Sequence, residues 1–138
     1  MFSFRSLLKD RLELVLRIGV FGTFLGHGIF ALEGKQRFAE MIQSIAPVDT
    51  ATATSLLFSI GIIDIVVAFW MLLKPHRLVL AYATVWAFMT ALARITAGDP
   101  VWDFVERAPN WAVSLALLLY IQFRSKQRQQ EKGVPVAA

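Results

Sequence analysis

The chain has 138 residues, of which 57% are hydrophobic and 17% charged, and its mean hydropathy is +0.57. A soluble domain of this size normally has shorter apolar runs and more charge, so the composition indicates an integral membrane protein. The sequence contains no cysteine, which excludes disulfides, thiol redox chemistry and thiolate metal sites in this chain. The net charge of +4 comes from basic clusters near both ends and in one central turn, which fits anionic lipid headgroups and not nucleic acid.

The chain is predicted to be a single all-α membrane domain, an integral four-helix bundle. Residues 1–12 are interpreted as a short amphipathic lead-in. The apolar segment that follows lacks a small-residue cleavage site, which favours a retained span over a removed signal peptide. A polar, basic tail is predicted at 124–138. The four spans are predicted at about 13–33, 51–73, 78–97 and 109–123.

The first loop, at 34–50, has its own helical pattern. Phe38, Met41, Ile42 and Ile45 recur at helical spacing, which predicts a short interfacial helix that lies on the bilayer. Pro47 is expected to end this helix.

The distribution of lysine and arginine predicts the orientation of the spans. Nine of these residues lie in the lead-in, in the turn at 74–77 and in the tail, whereas the first and third loops carry three. Because short basic loops stay in the cytoplasm, both termini are predicted to be cytoplasmic.

Small and polar residues divide the first span into two sides. Gly19, Gly22 and Gly26 fall within about 60° on a helical wheel, which predicts close packing against a neighbouring helix. Arg17 and His27 lie in another sector. Because a charged group that faces lipid at mid-depth costs at least ~2.5 kcal/mol, these two are expected to face the bundle, a wet cavity or an interface.

Ionisable residues in three spans form a predicted ladder across the membrane, with Arg17 lowest, Asp64 near the middle, and His27 and Arg94 in the outer half. Asp64 and Arg17 are interpreted either as an ion pair that fixes helix register or as part of a ligand or proton site. Arg94 either reaches the headgroups or binds an anionic or carbonyl group. His27 can hydrogen-bond a quinone carbonyl. Haem is not favoured, because the only other histidine, His76, lies on the opposite side.

No familiar catalytic motif is present, so no catalytic residue and no metal ligand is assigned. There is also no clear inverted repeat of the kind that many transporters show, which makes a small transporter a weaker alternative. Whether the chain is an enzyme stays open.

Three segments together resemble the DoxX-like family of small bacterial membrane proteins: LRIGVFGTFLGHGIFAL, IGIIDIVVAFWMLL and ERAPNWAVSLALLL. Asp64 stands where glutamate is more usual in that family, and Ser114 stands where proline is common. The resemblance covers nearly the whole chain, although its motifs are short and degenerate.

The resemblance implies a four-helix bundle in a bacterial inner membrane and, for some relatives, an association with quinone-dependent oxidoreductase or oxidase complexes. It implies a redox-associated subunit, or a binder of a quinone-like or lipid-like molecule. The alternative is a non-catalytic scaffold or assembly factor that docks another membrane protein or a second copy of itself. The residues that the resemblance suggests for a ligand pocket are Arg17, His27, Asp64, Arg94 and Asn110.

Overall fold

The computed structural model describes residues 4–131 and residue 133, with side chains from residue 11 onward. All regular structure in this part of the chain is helical, as the sequence predicts, and residues 4–131 contain no strand. The helices are α1 (Phe4–Leu32), α2 (Gln36–Ile45), α3 (Thr50–Leu73), α4 (Arg77–Thr96), α5 (Val101–Glu106) and α6 (Ala108–Glu131).

Three segments within these helices are long and apolar enough to cross a membrane: Arg11–Leu32, Thr50–Leu73 and Arg77–Thr96. They indicate a membrane protein. Helix α6 does not belong to this set. Its apolar run from Trp111 to Phe123 has 13 residues, which span roughly 20 Å as a helix against a hydrocarbon core of about 30 Å.

Local capping explains where α3 and α4 begin. The carboxylate of Asp49 accepts a 2.7 Å hydrogen bond from the backbone N–H of Thr52 at the start of α3. At the start of α4, Nδ1 of His76 accepts from the N–H of Leu78 at 3.3 Å. The two helices are joined by residues 74–76, and their ends fall within one residue of the predicted span ends at 51, 73, 78 and 97.

The helices extend beyond two of the predicted spans. From Phe4 onward the lead-in is helical and continuous with the first span, because α1 runs unbroken from Phe4 through Leu32. The tail predicted from residue 124 is helical as far as Glu131, because it is rich in residues that favour helix and has no glycine before Gly133. Residues 1–3, 132 and 134–138 lie outside the described residues.

The four long helices pack side by side in the order α3, α1, α6, α4, with far less contact between α3 and α4. Helices α1 and α3 approach each other closely at Gly28 and Gly61. A Cβ atom built on Gly61 would lie 2.9 Å from the carbonyl oxygen of Gly28, and one on Gly28 would lie 2.7 Å from the side chain of Ile65. Small residues therefore set this crossing, as is common between membrane helices.

This crossing corrects the predicted glycine stripe. Of the three glycines proposed for packing, only Gly19 has a close neighbour, because its Cβ would lie 2.8 Å from Val113 of α6. Nothing lies within 4 Å of a Cβ at Gly22 or Gly26. Helix α3 crosses α1 at the next glycine, Gly28, which turns the face of Gly22 away from the helix contacts.

The two ends of the molecule differ. The end that carries the turn at 74–76, here called the turn end, lies near the larger core cluster, which includes Phe24, Met71 and Leu80. The opposite end, here called the α2 end, has a smaller cluster in which α2 packs against α1 and α3 through Ala31, Ala39, Ala53 and Leu57. Helix α2 also contacts α4, so it covers the gap between α3 and α4. That α2 lies on the bilayer surface, as the sequence suggests, stays a prediction.

Candidate ligand cavity between α3 and α4

The weak contact between α3 and α4 leaves a cavity of about 300 Å³, here called the α3–α4 cavity. Its size is at the lower end of the range for small-molecule sites. Helix α2 lines it at the α2 end. Most of its wall is apolar and includes Phe38, Met41, Ile42, Leu57, Ile60 and Met89.

Asp64 lies in the wall of this cavity with an unpaired oxygen. The residue is only 3% exposed, and its Oδ1 has no hydrogen-bond partner within the described chain. Trp86 on α4 also lines the cavity. Because a buried polar atom without a partner costs roughly 1–3 kcal/mol, Oδ1 is an open position for a ligand group.

His27 and Arg107 meet at the cavity from opposite parts of the chain. Nη1 of Arg107 lies 3.1 Å from Nε2 of His27. A guanidinium group has donors only, so Nε2 is the acceptor and the neutral ring carries its proton on Nδ1. This contact occupies the nitrogen that would otherwise be available to a metal or to haem iron.

Arg94 is the third basic residue of the cavity, and it lies near the end of α4. Its Nη1 is 3.4 Å from Asp99 and 3.8 Å from Asp103. Burial, and secondarily the positive charge of Arg94, lower the pKa of Arg107 below its usual value. Arg94 and Arg107 therefore bring two guanidinium groups to the α2 end of the cavity, with Asp99 and Asp103 beside them.

An ion-pair network fastens α2 over the cavity. Arg37 of α2 pairs with Asp99 beyond the end of α4, donates to the carbonyl oxygen of Ala97 at 3.0 Å, and pairs with Glu40 at 2.9 Å. Its bonds to Glu40 and Asp99 raise the pKa of Arg37 above its ordinary value. Asp99 thus links α2 to Arg94, a residue of the cavity wall.

The structure brings His27, Asp64 and Arg94 together and leaves Arg17 elsewhere. Arg17 pairs with Glu13 at the turn end and contacts the carbonyl oxygen of Leu72 at 3.4 Å. Leu72 and Asp64 are eight residues apart on α3, which is about 12 Å along the axis. The Arg17–Asp64 pair is therefore not formed, and Arg17 is not a residue of this cavity.

Asn110 is also outside the cavity lining. It sits in the first turn of α6, where its backbone N–H bonds to Arg107 and its carbonyl oxygen accepts a weak 3.5 Å bond from Ser114. Arg107 is not among the pocket residues that the sequence suggests. The signal that could have identified it is its place in the third loop, which the lysine and arginine distribution puts on the outer side, near the depth of His27 and Arg94.

The arrangement suits an apolar molecule with polar atoms better than a metal ion. No group of three or more histidine and carboxylate residues that could hold a metal occurs among the residues that the structure describes. The cavity instead offers one buried carboxyl oxygen, an imidazole and two guanidinium groups around an apolar wall. Such a site can hydrogen-bond or exchange a proton with a bound ligand.

The described chain is thus an all-helical protein with three helices able to span a membrane, and with a cavity beside the second of them. Comparison with protein-family models, with curated proteins and with solved structures finds no match.

Proposed function

We propose that the protein binds a small, largely apolar, oxygen-bearing molecule in the α3–α4 cavity, and that a quinone-like molecule is its preferred ligand. The observation that carries the proposal is the buried, unpaired Oδ1 of Asp64 in the wall of an apolar cavity. In its reduced, quinol form the ligand has hydroxyl groups, one of which donates to this atom, while its apolar body contacts the side chains of α2, α3 and α4.

The second polar end of the ligand faces the basic residues. His27 is adjacent to Gly28, which crosses α3 at Gly61, one helical turn from Asp64. Arg94 lies two turns beyond Trp86, so it is about 12 Å further toward the α2 end. The carboxyl group thus lies deeper in the cavity and the basic groups lie nearer the α2 end. A ring with oxygen atoms on opposite sides suits this arrangement, with one oxygen at Asp64 and the other accepting from Nδ1 of His27 or from a guanidinium group.

The surrounding membrane arrangement belongs to the same proposal. We place the turn end in the cytoplasm of a bacterial inner membrane, because the basic residues concentrate there. Helix α6 serves as a fourth, short span in locally thinned lipid, since it packs along both α1 and α4. This arrangement supports a DoxX-like, redox-associated subunit whose ligand enters from the outer half of the membrane.

Extraction of bound molecules tests the proposal. The protein is purified in mild detergent, and its organic extract is analysed by mass spectrometry beside its ultraviolet–visible spectrum before and after reduction. The expected result is one quinone-like molecule per chain. The control is Ala93→Phe, which fills the cavity from α4 and should lose that molecule without losing bulk lipid.

Two outcomes would contradict the proposal. The first is an extract that contains only bulk lipid together with a stoichiometric protein partner, which is the result that a scaffold or assembly factor gives. The second is equal recovery of the same small molecule from the parent and from Ala93→Phe, which would place the molecule outside the cavity.

A further inference from the structure

A second cavity, at the turn end, is unrelated to the α3–α4 cavity. It is an open groove of about 670 Å³, here called the basic groove, between the start of α1, the turn after α3 and the last part of α6. Among the residues with described side chains, its basic residues are Arg17, Lys74, Arg124 and Arg128, and its one acidic residue is Glu13. The described lining of the groove therefore carries a net charge of +3.

Two of the four basic residues pair with Glu13, and the other two do not. Its carboxylate pairs with both Arg17 of the same helix and Arg124 of α6, so it ties these two side chains to the wall. Neither Lys74 nor Arg128 has an ion pair among the residues with described side chains, and both are exposed. The free positive charge of the groove is therefore concentrated on two residues from different helical segments.

The extension of α6 beyond its apolar run gives the groove its second wall. Arg124 and Arg128 are one turn apart on one face of the helix, and Ser125 accepts a 2.6 Å hydrogen bond from Arg77 at the start of α4. This bond holds the polar end of α6 beside the turn. The groove also contains a buried Nε–H of Arg17 that has no acceptor in the described structure.

Apolar side chains line the groove beside its charges. Leu14, Leu73 and Ile121 belong to the same lining, and Leu73 is 75% exposed. The groove lies where the apolar part of α3 gives way to its polar turn, which is the depth of lipid phosphates if α3 spans the bilayer. A free phosphate would use only the cations, whereas a phospholipid would also cover the leucines.

We propose that the basic groove binds the phosphate headgroup of an anionic phospholipid, with Lys74 and Arg128 pairing the phosphate and with an acyl chain against Leu14 and Leu73. Basic pockets between membrane helices are known to hold such headgroups. The proposal does not depend on what the α3–α4 cavity binds.

Native mass spectrometry of the delipidated protein tests this site, with an equal mixture of phosphatidylglycerol and phosphatidylcholine that carry the same acyl chains. The parent should retain one phosphatidylglycerol in preference to phosphatidylcholine. The double variant Lys74→Gln/Arg128→Gln should lose about 30-fold in affinity for phosphatidylglycerol at low salt. The reason is that each of the two basic residues contributes a comparable share of the binding free energy for an anionic lipid. Helix content by circular dichroism checks that the variant is folded.

A matched double variant, Arg11→Gln/Lys126→Gln, removes the same charge outside the groove lining and should change the affinity by less than about two-fold. Equal losses in the two double variants, or equal binding of the two lipids by the parent, would overturn the proposal. So would displacement of the bound lipid by millimolar inorganic phosphate, which would identify a free-phosphate site.

Discussion

The carbonyl oxygen of Gly28 lies 2.9 Å from where a Cβ of Gly61 would stand, and the carbonyl oxygen of Gly61 lies 3.0 Å from a Cβ on Gly28. The two backbones of α1 and α3 therefore touch, and neither glycine has room for a side chain. This crossing also fixes the position of His27, which is adjacent to Gly28, relative to Asp64 on α3.

Gly61→Ala should destabilise the protein by about 1–3 kcal/mol, because the new methyl group meets backbone and cannot be relieved by a side-chain rotation. Gly22→Ala is the matched control. Nothing lies within 4 Å of its Cβ, so the substitution should be neutral or stabilise α1 by up to ~1 kcal/mol. The measurement is the free energy of unfolding of each variant in mixed detergent micelles. Equal effects of the two substitutions would refute the crossing.

Asp64→Asn should change the free energy of unfolding by less than about 1 kcal/mol, because Asp64 has no charged partner among the residues with described side chains. If Asp64 instead formed an ion pair with Arg17, breaking that buried pair would cost roughly 3–5 kcal/mol. The free energies of unfolding of the parent, of Asp64→Asn and of Arg17→Gln distinguish an unpaired Asp64 from an Asp64–Arg17 ion pair. Coupled losses in the Asp64 and Arg17 variants would contradict the structure.

Glu13→Gln should destabilise the contact between α1 and α6 by about 1–2 kcal/mol, because it leaves Arg17 and Arg124 without their shared carboxylate. Glu33→Gln is the control, since Glu33 is exposed and has no ion pair in the described structure. Thermal unfolding at low and high salt measures the effect, which should shrink as salt rises. A larger effect at Glu33 than at Glu13 would be inconsistent with the bridge.

The start of α3 should lose stability in acid. The backbone N–H of Thr52 lowers the pKa of Asp49, whose carboxylate caps the helix. A lowered pKa in the folded state means that the stabilisation is present above the unfolded value of about 3.9 and is lost as pH falls through the folded value. Asp49→Asn keeps a capping oxygen and cannot titrate. The melting temperature of the parent should therefore fall more steeply below pH 4 than that of Asp49→Asn, and parallel profiles would exclude this cap.

The helices were predictable from the sequence because their signals are local. Apolar runs of at least about 20 residues and a proline after the short loop helix place the helix ends without knowledge of the packing. The same local signals made His27, Asp64 and Arg94 candidates for a ligand pocket. An ionisable residue within an apolar membrane helix costs free energy, so its presence there indicates a functional role.

The partners of these residues were not predictable, because they depend on how the helices cross. The depth estimate put Arg17 within reach of Asp64, but Glu13, one turn away on the same helix, is the nearer partner. The glycine spacing within α1 singled out Gly22 and Gly26, whereas the actual contact pairs Gly28 with a glycine of α3. Arg107 joined the cavity only through its contact with His27, across 80 residues of sequence.

The most direct test of ligand binding in the α3–α4 cavity is a calorimetric titration, in detergent, of the purified and delipidated protein with a short-chain benzoquinol. The parent should bind one molecule per chain, and Asp64→Leu should weaken binding by at least about 10-fold, since it removes one charge-assisted hydrogen bond. Loss of the preference for quinol over a matched ring without oxygen atoms should accompany this change. Undiminished, saturable binding of the quinol to Asp64→Leu would contradict the account.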